Sequence, residues 1–138
     1  EFALPKKYYP RVVQLAQSHL APIVQAIIYL NTYYRERIKE DALLKTLGIS
    51  RSSLYRYFKR FTGYAHTHYL QLLRVMHVDL YLMHTSYPLT YISDMCGFYD
   101  AQHMSNVFKK YRNRTPREHR IKRYMLIEQY PEKKLHIK

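Results

Sequence analysis

The sequence has only three glycines, one cysteine and no tryptophan among its 138 residues. The single cysteine, Cys96, excludes an intramolecular disulfide and fits a reducing compartment. No apolar run approaches the roughly 20 residues that a membrane-spanning helix needs. These absences predict a cytoplasmic protein that is not anchored in a membrane.

The three glycines, Gly48, Gly63 and Gly97, each stand between segments of helical period. Glycine enters the left-handed backbone conformation at helix C-termini without steric cost. No segment shows the alternation of a strand bounded by turns. The predicted fold is therefore all-α.

Acidic residues are also scarce, with 10 Asp and Glu against 23 Lys and Arg, which gives a formal net charge of +13. Such a charge predicts a polyanionic partner, either nucleic acid or an anionic membrane surface. The sequence shows no nucleophile–base pair, carboxylate pair or phosphate-binding loop. We therefore expect neither an enzyme nor a cofactor.

The sequence contains an internal repeat with a spacing of fifty residues. Segment 48–63 returns as segment 98–113, and its apolar and basic positions keep their register. The matched pairs are Leu54 with Met104, Phe58 with Phe108, Lys59 with Lys109, Arg60 with Lys110 and Phe61 with Tyr111. Outward positions differ, as Arg56 differs from Asn106. This pattern predicts one scaffold, used twice, that contacts two different targets.

Helical periodicity divides the chain into five parts. Ser50, Asp100 and Thr115 are the predicted helix caps, and Pro116 is suited to the first turn of the last helix. Two helix-turn-helix subdomains are predicted, joined by a long central helix in a homeodomain-like tandem, with an extra N-terminal helix. The predicted parts are an N-terminal helix or linker at 1–21, a first helix-turn-helix at 22–64, a linking helix at 65–85, a second helix-turn-helix at 86–129 and a tail at 130–138. The linking helix is apolar on nearly every side and is expected to be buried between the two repeats.

A helix-turn-helix places the start of its second helix against base edges in the DNA major groove. Arg56 is the strongest candidate in the first copy, because a guanidinium can donate two hydrogen bonds to guanine. Gln102 and Asn106 in the second copy carry the amide that pairs with adenine. The predicted base-contacting residues are Arg51, Ser52, Ser53, Tyr55, Arg56, Ala101, Gln102, His103, Ser105 and Asn106.

Basic residues further along each helix are expected to touch phosphates, which give affinity without sequence information. The linking helix spans roughly 30 Å at about 1.5 Å per residue. Major grooves on one face of DNA repeat every ~34–36 Å, so two adjacent grooves of an asymmetric site are the predicted target. The predicted phosphate-contacting residues are Lys59, Arg60, Lys109, Lys110, Arg112 and Arg114.

The eight histidines do not predict a metal site. His66 and His68 are two residues apart, which points them to different sides of a helix, and His77 with His84 lacks a nearby third ligand. We expect no metal. Cys96, beside a turn, is expected to be a small core residue.

The motif residues resemble the AraC-type, or arabinose-regulator, family of bacterial transcription regulators. The first half carries Leu47-Gly48-Ile49-Ser50, and the second carries Gly97-Phe98, Asp100 and Thr115-Pro116. Asn113 replaces the usual glycine, but asparagine also tolerates a left-handed turn. The match covers about Ile23 to Arg120.

The resemblance implies a seven-helix DNA-binding domain in a nucleoid-associated bacterial regulator, with activation slightly favoured over repression. It also implies RNA polymerase as a partner, and a separate sensor or dimerisation domain that this chain lacks. The chain opens with Glu1-Phe2 and no methionine, which predicts a piece of a longer protein. The alternative is a non-specific architectural protein that binds DNA or RNA, for which the charge alone would suffice.

Overall fold

The computed structural model describes residues 20–129, with side chains described as far as 122. The first predicted helix, with its apolar residues from Tyr9 to Ala16, and the tail at 130–138 lie outside the described residues. Within the described range the chain forms seven helices and no strand, as the sequence predicts. They are α1 (Ala21–Tyr33), α2 (Glu40–Leu47), α3 (Arg51–Thr62), α4 (His66–His84), α5 (Leu89–Met95), α6 (Ala101–Arg112) and α7 (Pro116–Gln129).

The described residues divide into two compact units. The first contains residues 20–33 and 38–69, and the second contains 34–37 and 70–129. Helix α4 begins in the first unit and continues into the second.

The first unit has a small core made by α1, α2 and α3. Helix α1 packs against both α2 and α3, which are separated by the turn at Gly48. Gly48 has φ of 67°, and its N–H donates to the Leu44 carbonyl, so it closes α2 in the left-handed conformation. The buried apolar side chains of this unit are Ile23, Ala26, Leu30, Leu43, Leu47, Leu54 and Phe58.

In the second unit, α5 and α6 correspond to α2 and α3 of the first, and α7 follows them. Helix α6 packs against α5 and α7. The core takes side chains from α4, α5, α6 and the turn between α5 and α6. Its buried members are Val75, Val78, Leu82, Ile92, Cys96, Phe98, Met104, Val107 and Phe108.

The prediction that α4 is buried on nearly every side is wrong. Met76 is 46% exposed and Leu80 is 49% exposed. Val75, Val78 and Leu82 are fully buried, and their spacing of three and four residues makes one stripe along the helix. The stripe faces the second core, which leaves the intervening apolar side chains on the helix surface.

Residues 34–37 belong to the second unit because Arg74 of α4 holds them. The Arg74 Nε donates to the Tyr34 carbonyl at 2.8 Å, and Nη2 donates to the Glu36 carbonyl at 3.0 Å. Gly97, with φ of 84°, lies so close to the Tyr34 carbonyl that a Cβ there would collide with it. Burial lowers the pKa of Arg74, and the two carbonyls accept hydrogen bonds from its Nε and Nη2.

Candidate nucleic-acid interface

Helix α3 is fixed at both ends by local chemistry. The Ser50 hydroxyl accepts the Ser53 N–H at 3.2 Å, as its prediction as a cap requires. Gly63 ends the helix with φ of 86°. Leu54 and Phe58 are fully buried on the inner side. The helix is therefore held with its remaining face outward.

The outward face of α3 carries most of the residues predicted to contact DNA in the first copy. Ser53 is the exception among the base-contacting candidates, because it is half-buried and its hydroxyl accepts a hydrogen bond from Ser50 Oγ at 2.9 Å. The exposed residues are Arg51, Ser52, Tyr55, Arg56, Lys59 and Arg60. All six line an open cavity of about 1200 Å³ on the first unit.

Two aromatic rings sit beside the cations of this face. The Lys59 Nζ lies 5.7 Å from the centre of the Tyr55 ring, and the Arg56 guanidinium carbon lies 5.8 Å from that of Tyr57. Attraction between a cation and an aromatic face contributes about 0.5–1 kcal/mol at exposed sites. These contacts restrict both side chains while leaving their N–H groups toward solvent.

Helix α6 is built like α3. The Asp100 carboxylate accepts the His103 N–H at 2.7 Å, which confirms the predicted cap. Asn113 ends the helix with φ of 59° and ψ of 22°, so the left-handed turn forms without glycine, as predicted. Met104 and Phe108 are fully buried. The two copies of the repeat thus use different residues for the same geometry.

The outward face of α6 carries Gln102, His103, Asn106, Lys109 and Lys110, all exposed. The Gln102 amide donates to the Asn106 carbonyl oxygen at 3.0 Å, which places the two amides side by side. His103 Nδ1 accepts the Tyr99 N–H at 3.4 Å. Ala101 and Ser105, also predicted to contact bases, are half-buried.

Arg112 and Arg114 differ from the lysines of α6. The Arg112 Nη2 lies 2.7 Å from Asp79 Oδ2, so its charge is already paired within the second unit. Arg114 is half-buried, and its Nε is shielded from solvent. His119 Nε2 lies 3.3 Å from the other oxygen of Asp79. Asp79 therefore links the end of α6 to α4 and lies beside the start of α7.

Sequence reasoning missed the acidic residues beside α3. Arg51 Nε lies 3.3 Å from Glu40 Oε2, and its Nη2 lies 3.1 Å from Asp41 Oδ1. Both carboxylates are in the first turn of α2, where acidic residues stabilise a helix N-terminus. The sequence signal was two adjacent acidic residues, Glu40 and Asp41, shortly before α3, but their pairing with Arg51 depends on the angle between α2 and α3.

The described residues contain no group of three or more His, Cys, Asp or Glu arranged to hold a metal ion. Within the same range, none of the helices is long and apolar enough to cross a membrane. Cys96 is fully buried, as predicted for a small core residue, and burial raises the pKa of its thiol to about 12.

Comparison with known proteins finds a family model, described as a helix-turn-helix domain, that matches residues 43–122. The transcriptional activator RhaS of Salmonella paratyphi B is 29% identical over 113 residues, which are 82% of this chain. The chain spans about 41% of the length of RhaS and other curated relatives it matches.

Solved structures agree with this match. An AraC-type DNA-binding domain protein from Chromobacterium violaceum is 29% identical with a TM-score of 0.68, covering 75% of this chain and 92% of that one. The xylose-binding activator XylR is 32% identical with a TM-score of 0.64, over 73% of this chain and 27% of XylR. The DNA-binding domain of AdpA, solved with a target DNA, has the same fold at 20% identity, with a TM-score of 0.71 over 80% and 97% of the two chains. The family match spans more than half of the chain, which therefore belongs to the AraC-type helix-turn-helix family of DNA-binding transcription regulators.

Proposed function

We propose that the chain recognises one asymmetric duplex site, with α3 and α6 entering adjacent major grooves. The observation that carries this proposal is the pair of capped helices whose exposed faces bear different side chains on the same buried frame. Arg56 lies on the first face, and Gln102 with Asn106 lies on the second. Since the faces differ, the two halves of the site differ in sequence.

Each candidate residue has a role that follows from its chemistry. Arg56 donates two hydrogen bonds to guanine O6 and N7, and one of the amides of Gln102 and Asn106 pairs with adenine. Arg51, Ser52, Ser53, Tyr55, Ala101, His103 and Ser105 complete the proposed base-contacting set. In this proposal, the residues that contact phosphates are Lys59, Arg60, Lys109, Lys110, Arg112 and Arg114.

In the cell, this recognition would act within a longer protein. The relatives include proteins named as activators, and the chain spans less than half of the curated ones. We propose a cytoplasmic, nucleoid-associated regulator whose remaining part senses a signal or dimerises, and whose bound form contacts RNA polymerase. The proposal includes no cofactor and no catalysis by this chain.

Selection of binding sites from random duplexes tests the proposal. We expect one asymmetric site with two blocks about one helical turn apart, bound at least about 10³-fold more tightly than random DNA. A single enriched block would mean that only one helix reads bases. The absence of enrichment would favour the alternative of a non-specific architectural DNA- or RNA-binding protein.

Arg56 provides a test at one base pair. Arg56→Ala should weaken binding to the selected site by about 1–3 kcal/mol and relax preference at one position. Arg56→Lys is the matched control, because it keeps the charge but loses the two parallel donors. It should lose the base preference while keeping affinity for random DNA. Equal losses on all sequences in both variants would remove Arg56 from the base-contacting set.

A further inference from the structure

We propose that Glu40 and Asp41 are positioning residues that set the direction of Arg51 for DNA recognition. This inference rests on the proposed function. Glu40 Oε2 meets the Arg51 Nε at 3.3 Å, and Asp41 Oδ1 meets Nη2 at 3.1 Å. The Nη1 group takes part in neither contact, and the Arg51 side chain remains 65% exposed. We call these three residues the Arg51 clamp.

The clamp borders the core of the first unit. The second oxygen of Glu40, Oε1, lies 3.1 Å from His66 Nε2. His66 is buried at the start of α4, and its ring meets the Phe58 ring edge-on at 6.2 Å between centroids. Phe58 is itself fully buried in α3. One carboxylate thus lies between a buried ring of the core and an exposed arginine on α3.

The fold itself does not require the clamp. Fifty positions after its three members stand Thr90, Tyr91 and Ala101, which can form no such ion pairs. Helices α5 and α6 nevertheless form the same helix-turn-helix. Ion pairs between exposed side chains also contribute little to stability. Stabilisation of the α2 N-terminus accounts for acidic residues at these positions, but it does not require their contact with Arg51. That contact acts on α3 alone.

Two negative charges beside a DNA-binding helix reduce its attraction to phosphates. This cost is offset where a fixed arginine discriminates between bases, because holding a guanidinium in one direction reduces the entropy lost on contact. Without the two carboxylates, the Arg51 guanidinium would instead turn toward the nearest phosphate. The clamp thus increases the specificity of binding and lowers its overall affinity.

The double variant Glu40→Gln with Asp41→Asn tests the inference. Affinity for random duplexes should rise, while the ratio of affinities for selected and random DNA should fall by about fivefold or more. About fivefold is the lower end of the discrimination that one arginine–guanine pair provides. The matched control is Glu36→Gln with Asp94→Asn, which removes two exposed carboxylates elsewhere. The control should raise both affinities equally and leave the ratio unchanged.

Arg51→Ala completes a double-mutant cycle. In that background, neutralising Glu40 and Asp41 should raise both affinities alike and leave the ratio where Arg51→Ala put it. An unchanged ratio in the clamp variant with Arg51 present would show that the carboxylates act only through net charge and would overturn the inference alone. Failure of the unsubstituted protein to select any site would overturn the proposed function and the inference with it.

The free protein gives an independent readout. In an NMR spectrum of the arginine side chains, the Arg51 Nε–H signal should exchange with water faster in the Glu40→Gln, Asp41→Asn variant than in the unsubstituted protein. The Arg56 signal serves as the internal reference, since Arg56 contacts neither carboxylate. Equal exchange of the Arg51 signal in the two proteins would show that the clamp does not hold Arg51 in solution and would overturn the inference.

Discussion

At the scale of single residues, the thiol of Cys96 reports on the integrity of the second unit. Burial raises its pKa from 9.0 to about 12, and the opposing effect of Arg35 is smaller. Since the thiolate is the reactive form, Cys96 should react slowly with a disulfide reagent at pH 8 in the native protein and rapidly in urea. The release of the coloured thiol product measures both rates. Rapid reaction without denaturant would contradict the burial of this side chain.

The same shift has a consequence for stability. The folded pKa lies above the unfolded one, so the stabilisation is complete below about pH 9 and is lost as pH rises toward 12. Cys96→Ala should reduce this alkaline loss.

Gly97 is the residue where backbone shape is most constrained. A Cβ there would collide with the Tyr34 carbonyl and lie 2.9 Å from the Arg74 Nε. Gly63 is the matched control, because it has a similar positive φ but no atom within 4 Å of an added Cβ. Both alanine variants should lose about 1–2 kcal/mol from the left-handed backbone. Gly97→Ala should lose a further 1–3 kcal/mol or so from the collision.

Urea denaturation of the two glycine variants measures the difference. Equal destabilisation would mean that residues 34–37 move away from Gly97 at no cost. In that case, Arg74 would not hold this segment firmly in the second unit.

At the scale of helices, the two inner phenylalanines support separate units. Phe58 in α3 and Phe108 in α6 are both fully buried. Phe58→Ala should destabilise the first unit by about 3–5 kcal/mol, and Phe108→Ala the second by a similar amount. Met76→Ala, at an exposed apolar position, is the control and should cost little. Hydrogen exchange resolved by residue should show each loss of protection in the unit that carries the substitution.

Loss of protection across both units in either variant would show that the two units unfold together. Stability unchanged in either variant would contradict the assignment of that inner face.

The helices were largely predictable from the sequence because their ends depend on local chemistry. Ser50, Asp100 and Thr115 each cap a helix as predicted, and Asn113 ends α6 in the left-handed conformation. The exposed side of α4 was not predictable from composition, because the burial of each side of a helix depends on which other helices pack against it. The Arg51 clamp was missed for the same reason. Its carboxylates belong to one helix and its guanidinium to the next.

At the scale of the whole described chain, the half-buried His77 and His119 make stability depend on pH. Burial lowers the pKa of His77, which stacks on Tyr34 at 3.9 Å between centroids. Burial also lowers the pKa of His119. The other charged groups around His119 act as follows: Asp79 raises its pKa, while Arg114, Arg112 and Lys122 lower it.

Because both folded pKa values lie below the unfolded ones, the second unit has its full stability above about pH 6.5 and loses it as pH falls. Urea midpoints measured at pH 7.5 and pH 5.5 should therefore differ more in the unsubstituted protein than in His119→Gln. His68→Gln is the control, since His68 is exposed in the first unit. An identical pH dependence in the His119 and His68 variants would contradict this role.

Net charge gives the protein affinity for any DNA, so the salt dependence of binding must be assigned to particular cations. Lys109 is exposed in the last turn of α6, whereas the Arg112 guanidinium is paired with Asp79 at 2.7 Å. Lys109→Ala should weaken binding to every sequence alike and flatten the slope of log K against log salt by about one unit.

Arg112→Gln should change the slope less, because Asp79 already compensates its charge, but should destabilise the second unit. Lys45→Ala, in α2, is the control for loss of one positive charge. If Arg112→Gln flattened the slope as much as Lys109→Ala, Arg112 would have to leave Asp79 when DNA binds, and the ion pair would be a feature of the free protein alone.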